Sequence, residues 1–260
     1  MKDVYLKLAT RSLVIAASID AALKPVIDSL FKGFKADVTA RHYIDALVLL
    51  LYVLALYLIY KIVSGLLLAT FNNVVAFRQI LEKDFDVEGA YIERVYINGE
   101  LEVVGRCEIA FSDGELKLES YAYWPQVDAK GSLKLSRVAQ VTTLPQLCAV
   151  KELVMQYVFQ DIYLEAPKKN KTGLTKLTFL REQYPGFWRK VFWRRGRLVE
   201  YSGRFDSFDN NIEGNIVGNR LSVSEAKRST DEHGRVAILL KDVQDQITFG
   251  KKLRTVPPGD

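Results

Sequence analysis

The sequence predicts N-terminal transmembrane α-helices followed by an all-β domain, a small antiparallel β-barrel of about eight strands. Three observations carry this expectation. Residues 46–60 read ALVLLLYVLALYLIY, without a charge. After Phe85 the apolar pattern changes to period two, the signature of half-buried strands. Two turn signals, Asn98-Gly99 and Asp113-Gly114, cut that pattern into short segments.

The charge distribution divides the chain at the same place. Mean hydropathy is near zero, but this averages two unlike parts. Residues 1–81 carry nine Lys/Arg and five Asp/Glu, whereas residues 82–260 carry 27 and 26. The basic excess lies mostly in the first part, where lipid headgroups can use it. The second part is close to neutral, which argues against non-specific binding of DNA or RNA. The expected organisation is a membrane anchor over 1–81, a soluble β-barrel over 82–255 and a flexible tail over 256–260.

The main apolar run continues past Lys61 through IVSGLLLATF. A helix over about 44–71 is long enough to cross roughly 30 Å of hydrocarbon at about 1.5 Å per residue. Apolar residues surround it on all sides, unlike the one-sided stripe of a soluble core helix. Lys61 either snorkels to the nearer interface or faces a polar interior. The run starts too far from the N-terminus for a cleavable signal peptide.

Residues 12–31, SLVIAASIDAALKPVIDSLF, are also apolar but contain Asp20, Lys24 and Asp28. Each such charge costs about 2.5–3.5 kcal/mol at a bilayer centre. Their i, i+4, i+8 spacing puts them on one helix face, where neighbours can pair. Pro25 kinks the helix. Two readings stay open: a first transmembrane helix with a polar stripe that serves assembly, joined by Lys61, or an amphipathic helix lying in the interface. Lys and Arg flank both segments almost evenly, so charge bias sets no orientation.

In the second part, Leu101, Val103, Gly105, Cys107, Ile109 and Phe111 alternate with Glu100, Glu102, Arg106 and Glu108. The acid pair Glu100/Glu102 therefore points outward, and no carboxylate catalytic pair is expected. The next strand sets Leu116 and Leu118 opposite Glu115, Lys117 and Glu119. Further strands are SLKLSRVAQVTT (132–143), QYVFQDIYLE, LTKLTFLREQ, RLVEYSGRFDSF (197–208) and NIVGNRLSVSE (215–225). Val199, Tyr201, Gly203 and Phe205 share one face. Residues 144–154 read as a short helix and KKNKTG (168–173) as a solvated loop. A meander of this size closes as a barrel, which removes exposed edges and can enclose a small ligand, or splits into a sandwich.

Candidate chemistry is sparse. Cys107 and Cys148 have no CxxC spacing, and His42 and His233 lie far apart. No phosphate loop, nucleophile elbow or zinc-ligand spacing is present. No enzyme activity, cofactor or metal is expected. The densest cluster is PGFWRKVFWRRGRLVEYSGR, 185–204. Arg forks match phosphate oxygens and aromatic rings stack on bases, so Arg189, Trp193, Arg197 and Tyr201 are candidate ligand contacts. The plainer alternative is a packed strand with a basic face near anionic lipid. Tyr121, Tyr123 and Trp124 form a second aromatic group, which either binds ligand or plugs the barrel mouth. Arg137 falls on the apolar face of its strand with Leu133, Leu135, Ala139 and Val141. An inward Arg needs a carboxylate or a phosphate. A register shift of one residue would instead expose it.

The N-terminal apolar helices, the entry Glu88-Gly89-Ala90-Tyr91, and the late Tyr201-Ser202-Gly203-Arg204 segment returning through Gly214 to Arg220-Leu221-Ser222 together resemble one family. These are the transmembrane, STING-like β-barrel effectors of bacterial CBASS, cyclic-oligonucleotide-based anti-phage signalling. The resemblance implies a barrel on the cytoplasmic side of the inner membrane. It implies binding of a cyclic dinucleotide or related cyclic oligonucleotide made by a partner nucleotidyltransferase. Self-association of the helices and disruption of the bilayer would follow, without catalysis.

Overall fold

A computed structural model describes residues 2–31, 38–81, 83–112, 114–128, 130–164, 171–182, 197–208 and 212–253. Two compact units separate, Met1–Glu82 and Lys83–Asp260.

The first unit contains α1 (Lys2–Phe31), α2 (Val38–Asn73) and α3 (Val75–Leu81). Within α2, Leu47–Asn73 is long and apolar enough to cross a membrane, and its most apolar stretch has no residue buried inside the protein. Among the described residues no other helix meets that condition. The charges of α1 set it apart, as their desolvation cost anticipates. The two long helices contact each other, and the Tyr52 hydroxyl donates to the Asp20 carboxylate across them. Leu8, Ser12 and Ala16 are the buried positions of α1 among its described side chains. They repeat every four residues, and two of them are small, which permits close helix approach. Arg78 of α3 donates from Nη1 to the Phe71 and Asn72 carbonyls at 2.7 and 2.8 Å. It thereby satisfies carbonyls that the end of α2 leaves open.

The second unit begins with a 3-10 turn, Lys83–Val87. Eight strands follow: β1 (Gly89–Ile97), β2 (Glu100–Ser112), β3 (Glu115–Val127), β4 (Leu133–Lys151), β5 (Val154–Tyr163), β6 (Lys171–Glu182), β7 (Arg197–Ser207) and β8 (Glu213–Arg220). Each pairs antiparallel with the next, and β8 pairs with β1 to close the barrel. The closing register runs from Tyr91↔Arg220 to Tyr96↔Asn215. Asn98 and Gly99 carry φ of 53° and 83°, the positive values that a tight hairpin turn requires.

Two expectations need correction. Residues 144–154 are not helical: β4 runs to Lys151 and turns through Glu152 and Leu153 at φ of 51° and 69°. The final strand stops at Arg220, and the chain then forms α4 (Val223–Arg228) and α5 (Glu232–Thr248). The signals for these helices stand in the sequence. Ser222 and Glu225 form a reciprocal capping box. Val236, Leu239, Leu240 and Val243 recur at helical spacing.

The barrel interior is filled by large rings laid over glycines of neighbouring strands. Tyr201 stacks with Tyr91 and Phe179 at centroid distances of 5.1 and 5.3 Å. A Cβ at Gly218 would meet the Tyr201 ring at 2.1 Å. Gly214 likewise lies under Phe205 and Gly173 under Phe159, at 2.2 and 2.5 Å. A small closed barrel has no other room for these rings.

A second core lies on the outer wall. Leu101, Val104 and Tyr123 pack against Leu239 and Val243 of α5. Arg94 grips Asp242 with two parallel hydrogen bonds, a planar fork on a carboxylate. Arg106, buried on this face, donates from Nε to Ser229 Oγ at 2.8 Å between α4 and α5.

Gly218→Ala forces a methyl into the Tyr201 ring and should cost about 1–3 kcal/mol. Urea denaturation of the full chain in detergent, followed by circular dichroism, measures this. An unchanged midpoint would contradict the ring placement.

Candidate functional site

The two ends of the barrel differ. At the end where the chain enters, Tyr91, Cys107, Ile109, Leu118, Met155, Leu177, Phe179 and Leu198 fill the interior. Towards the opposite end, between the strands that the Asn98-Gly99 turn joins and those across from them, the packing leaves a cavity of about 100 Å³. Val95, Val103, Ala122, Val141, Phe205 and Ile216 form apolar parts of its wall. Glu93, Glu102, Asp161, Lys171, Tyr163 and Ser207 also line it.

The polar groups form a connected set. Glu93 is only 7% exposed. It accepts from Tyr201 Oη at 2.7 Å and, more loosely, from Ser120 Oγ at 3.4 Å. Burial pushes its carboxyl upward from the usual value, and those two hydrogen bonds oppose the push. Asp161 and Lys171 face each other across β5 and β6. Burial pushes the Asp161 carboxyl up to about 7, with Lys171 pulling it down and Glu93 and Glu102 adding to the rise. Lys171 is 8% exposed, with Nζ 5.5 Å from the Tyr163 ring centroid. The Ser207 hydroxyl, on a residue 7% exposed, has no hydrogen-bond partner among the described residues. Cys107 lies deeper in the core. Its thiol is pushed well up by burial, which removes the thiolate that nucleophilic chemistry needs.

Three placements overturn expectations from strand alternation. Glu102 does not point outward. Val95 pairs with Val103 and Tyr96 with Leu101, so Glu102 is the extra residue of a β-bulge and lines the cavity. Arg137 does not point inward. Ala122 pairs with Ala139 and Tyr123 with Arg137, so Val138 is a second bulge that reverses the faces of β4. Lys171 is not in a solvated loop but starts β6 and reaches the cavity. In β7, Val199 is also a bulge residue, while Tyr201 does face inward.

The candidate ligand residues therefore do not gather in the cavity. Tyr121, Tyr123 and Arg137 meet on the outer wall beside α5. The Tyr121 ring lies between two guanidinium groups, 4.8 Å from Arg137 and 3.9 Å from Arg235. Tyr123 Oη and Arg137 Nε have no hydrogen-bond partner there. Trp124, opposite Ser136 on β4, likewise leaves its buried Nε1 unpaired and is not among the residues lining the cavity. Tyr201 belongs to the packed core and touches the site through Glu93. Arg197 opens β7 opposite Glu182; its side chain, with Arg189 and Trp193, lies outside the described residues. Of the membrane set, Asp20 is paired with Tyr52, Lys24 is exposed, and Lys61 is exposed with Nζ 5.5 Å from the Tyr57 ring. The Asp28 side chain lies outside the described residues.

Glu93, Asp161 and Ser207 were missed by sequence reasoning, although two of them had a signal. Glu93 stands among Tyr91, Val95 and Ile97, and Asp161 among Met155, Tyr157 and Phe159, each on the apolar face of its strand. Among the described residues no group of three His, Cys, Asp or Glu is placed to hold a metal ion.

Two of the segments that carry the family resemblance, the entry at Glu88 and the return at Arg220, meet where the chain enters the barrel. Arg220 donates to the Glu88 carbonyl at 2.6 Å and the Asp86 carbonyl at 3.3 Å. Arg181 pairs with Asp86 at 2.5 Å.

The Asp161 shift makes stability depend on pH. Its carboxyl ordinarily titrates near 3.8 and here near 7. The folded chain therefore holds the proton longer than the unfolded one. Its contribution is full below the lower value and is lost as pH rises through the higher one. The melting temperature of the full chain should fall from pH 5 to pH 8, and Asp161→Asn should flatten that slope. A melting temperature that rises over this window in the wild type would contradict the assignment.

Comparison with protein-family models, with curated proteins and with solved structures finds no match.

Proposed function

We propose that this chain is a membrane-anchored sensor, in which the barrel receives a small ligand and the helices act on the bilayer. The observation that carries this reading is the cavity. It contains buried polar groups, including an unpaired hydroxyl, inside a barrel joined to a helix suited to the membrane. Packing alone gives no reason to gather Glu93, Glu102, Asp161 and Lys171 around one cavity, because buried charge is costly.

The resemblance to CBASS effectors supplies the ligand class and the outcome. The ligand is a cyclic dinucleotide or related cyclic oligonucleotide made by a partner nucleotidyltransferase. Binding promotes self-association of α1 and α2 with other copies and disrupts the bacterial inner membrane, with the barrel on the cytoplasmic side. The barrel does no catalysis. A ligand shifts such an equilibrium only by binding the assembled form more tightly than the free one. The Asp20–Tyr52 contact and the exposed Lys24 and Lys61 supply polar groups that a hydrated assembly tolerates better than lipid does.

A second reading has its own support. Pockets for drug-sized ligands span about 300–1,000 Å³, so this cavity is small. Its described lining contains no arginine and is rich in Val, Ile and Phe. Those features favour a membrane-tethered, lipocalin-like binder of a compact small molecule.

Thermal unfolding of the full chain in detergent, against a panel of cyclic di- and trinucleotides, separates the two. A ligand at about 100 times its dissociation constant stabilises by about 2.7 kcal/mol. The sensor reading expects such a shift with one cyclic nucleotide, together with dye release from vesicles carrying the protein when that nucleotide is added. Absence of both, from a folded sample, would favour the tethered binder.

A further inference from the structure

We infer that the outer wall of the barrel beside α5 holds a second site, which takes a phosphodiester group between Arg137, Arg235 and Tyr123. The site lies apart from the cavity. It does not depend on the sensor reading, because lipid headgroups and cyclic nucleotides share this chemistry.

The wall gathers donors and lacks acceptors for them. Val138 is the extra residue of a bulge, so Arg137 stands opposite Tyr123 on the outward face. The Tyr121 ring beside them lies 4.8 Å from the Arg137 guanidinium and 3.9 Å from that of Arg235. Arg137 Nε is shielded from solvent without a hydrogen-bond partner, and no described carboxylate pairs with this side chain. Arg235, also buried, donates from Nε and Nη2 to the Ser229 and Thr230 carbonyls at 3.4 and 3.0 Å. It too pairs with no carboxylate among the described residues. Tyr123 is 1% exposed, and its hydroxyl has no hydrogen-bond partner. Arg235 and Arg137 act on that phenol electrostatically, but guanidinium groups only donate, so neither can accept its proton. An anionic oxygen supplies the acceptor that all three side chains lack.

Local charge selects the kind of oxyanion. Glu232 is the acid that acts on the same phenol. Two guanidinium groups and one carboxylate leave one positive charge. A phosphodiester balances it with a single negative charge, whereas the additional charge of a phosphate monoester meets Glu232. A carboxylate also carries one charge, but its two oxygens lie in one plane. A tetrahedral phosphate offers acceptors in further directions, towards both guanidinium groups and the phenol. Position favours an anion as well. Arg235 lies near the start of α5, where the helix dipole disfavours a cation and favours a negative charge. Arg137 and Tyr121 are only half-buried, so the ligand approaches from their side.

Isothermal titration of the full chain in an uncharged, phosphate-free detergent tests this. Glycerophosphoglycerol, a headgroup diester without acyl chains, and dihexanoyl phosphatidylglycerol represent the lipid source. A panel of cyclic dinucleotides represents the nucleotide source, and inorganic phosphate is the non-ester control. At least one diester should bind about tenfold more tightly than inorganic phosphate. Arg137→Gln and Tyr123→Phe should each weaken it by about tenfold, the effect of one hydrogen bond to a charged group. Tyr123→Phe should also leave the ligand-free melting temperature unchanged or higher, because the hydroxyl it removes has no partner. Binding confined to the lipid probes assigns the site to a membrane headgroup and leaves the sensor reading without support from this titration. Nucleotide binding lost in Arg137→Gln but kept in Asp161→Asn assigns it to a soluble diester on the wall and not in the cavity. Wild-type affinity in both wall variants, inorganic phosphate binding as tightly as any diester, or no diester binding to a folded sample would overturn the inference.

Discussion

Closing eight strands between β1 and β8 fixes how much space the barrel can enclose, and most of the second unit answers to that limit. An open sheet could send Tyr201, Phe205 and Phe159 to a roomy face. In a small closed barrel each ring must lie flat over a neighbouring strand, and only glycine leaves the space. Gly218, Gly214 and Gly173 stand under those rings. The same stacking brings Tyr201 Oη to Glu93. A carboxyl is thus held inside the core by a tyrosine whose position the glycines set. The cavity is what remains where the rings stop.

The bulges govern which side chains share that space. A strand that alternates without interruption keeps one face inward along its whole length. Each extra residue reverses the faces beyond it. The bulge at Glu102 sends Leu101 outward and Glu102 inward. The bulge at Val138 sends Leu133, Leu135 and Arg137 outward while Ala139 and Val141 stay inside. The outward set then forms an apolar patch on the barrel wall, which α5 covers with Leu239 and Val243. One device therefore supplies both a seat for a helix and an acidic lining for the cavity.

The first unit contains a helix long and apolar enough to cross a membrane. In α2, exposed leucines such as Leu49, Leu50, Leu54, Leu58 and Leu66 surround the axis. That distribution is costly in water and favourable in hydrocarbon, where backbone groups must also be satisfied within the helix. The ends and the seam carry the polar exceptions. Arg78 closes open carbonyls after α2, and Asp20 finds Tyr52 on the adjoining helix. A carboxylate so placed is held by a hydroxyl and not by a counter-ion, which leaves its charge uncompensated within the described contacts of the pair.

The sequence by itself determined the elements whose causes are local. The charge-free run gave the apolar helix, Asn98-Gly99 gave the first hairpin, and period-two alternation gave the strands and the barrel class. The capping box at Ser222 and the spacing of Leu239 and Val243 are equally local signals for the two C-terminal helices. Glu93 and Asp161 were legible too, as charges on otherwise apolar faces. Glu102, Arg137 and Lys171 were not. The orientation of Glu102 and Arg137 depends on which residue of a strand loses its partner, and that choice is made by the pairing of two strands, whereas Lys171 is placed by how far β6 continues its pairing with β5. Only the tertiary structure decided that the arginine and tyrosine cluster lies on the outer wall and that Glu102 joins the carboxyls inside, because a bulge has no signature in the composition of the strand that carries it.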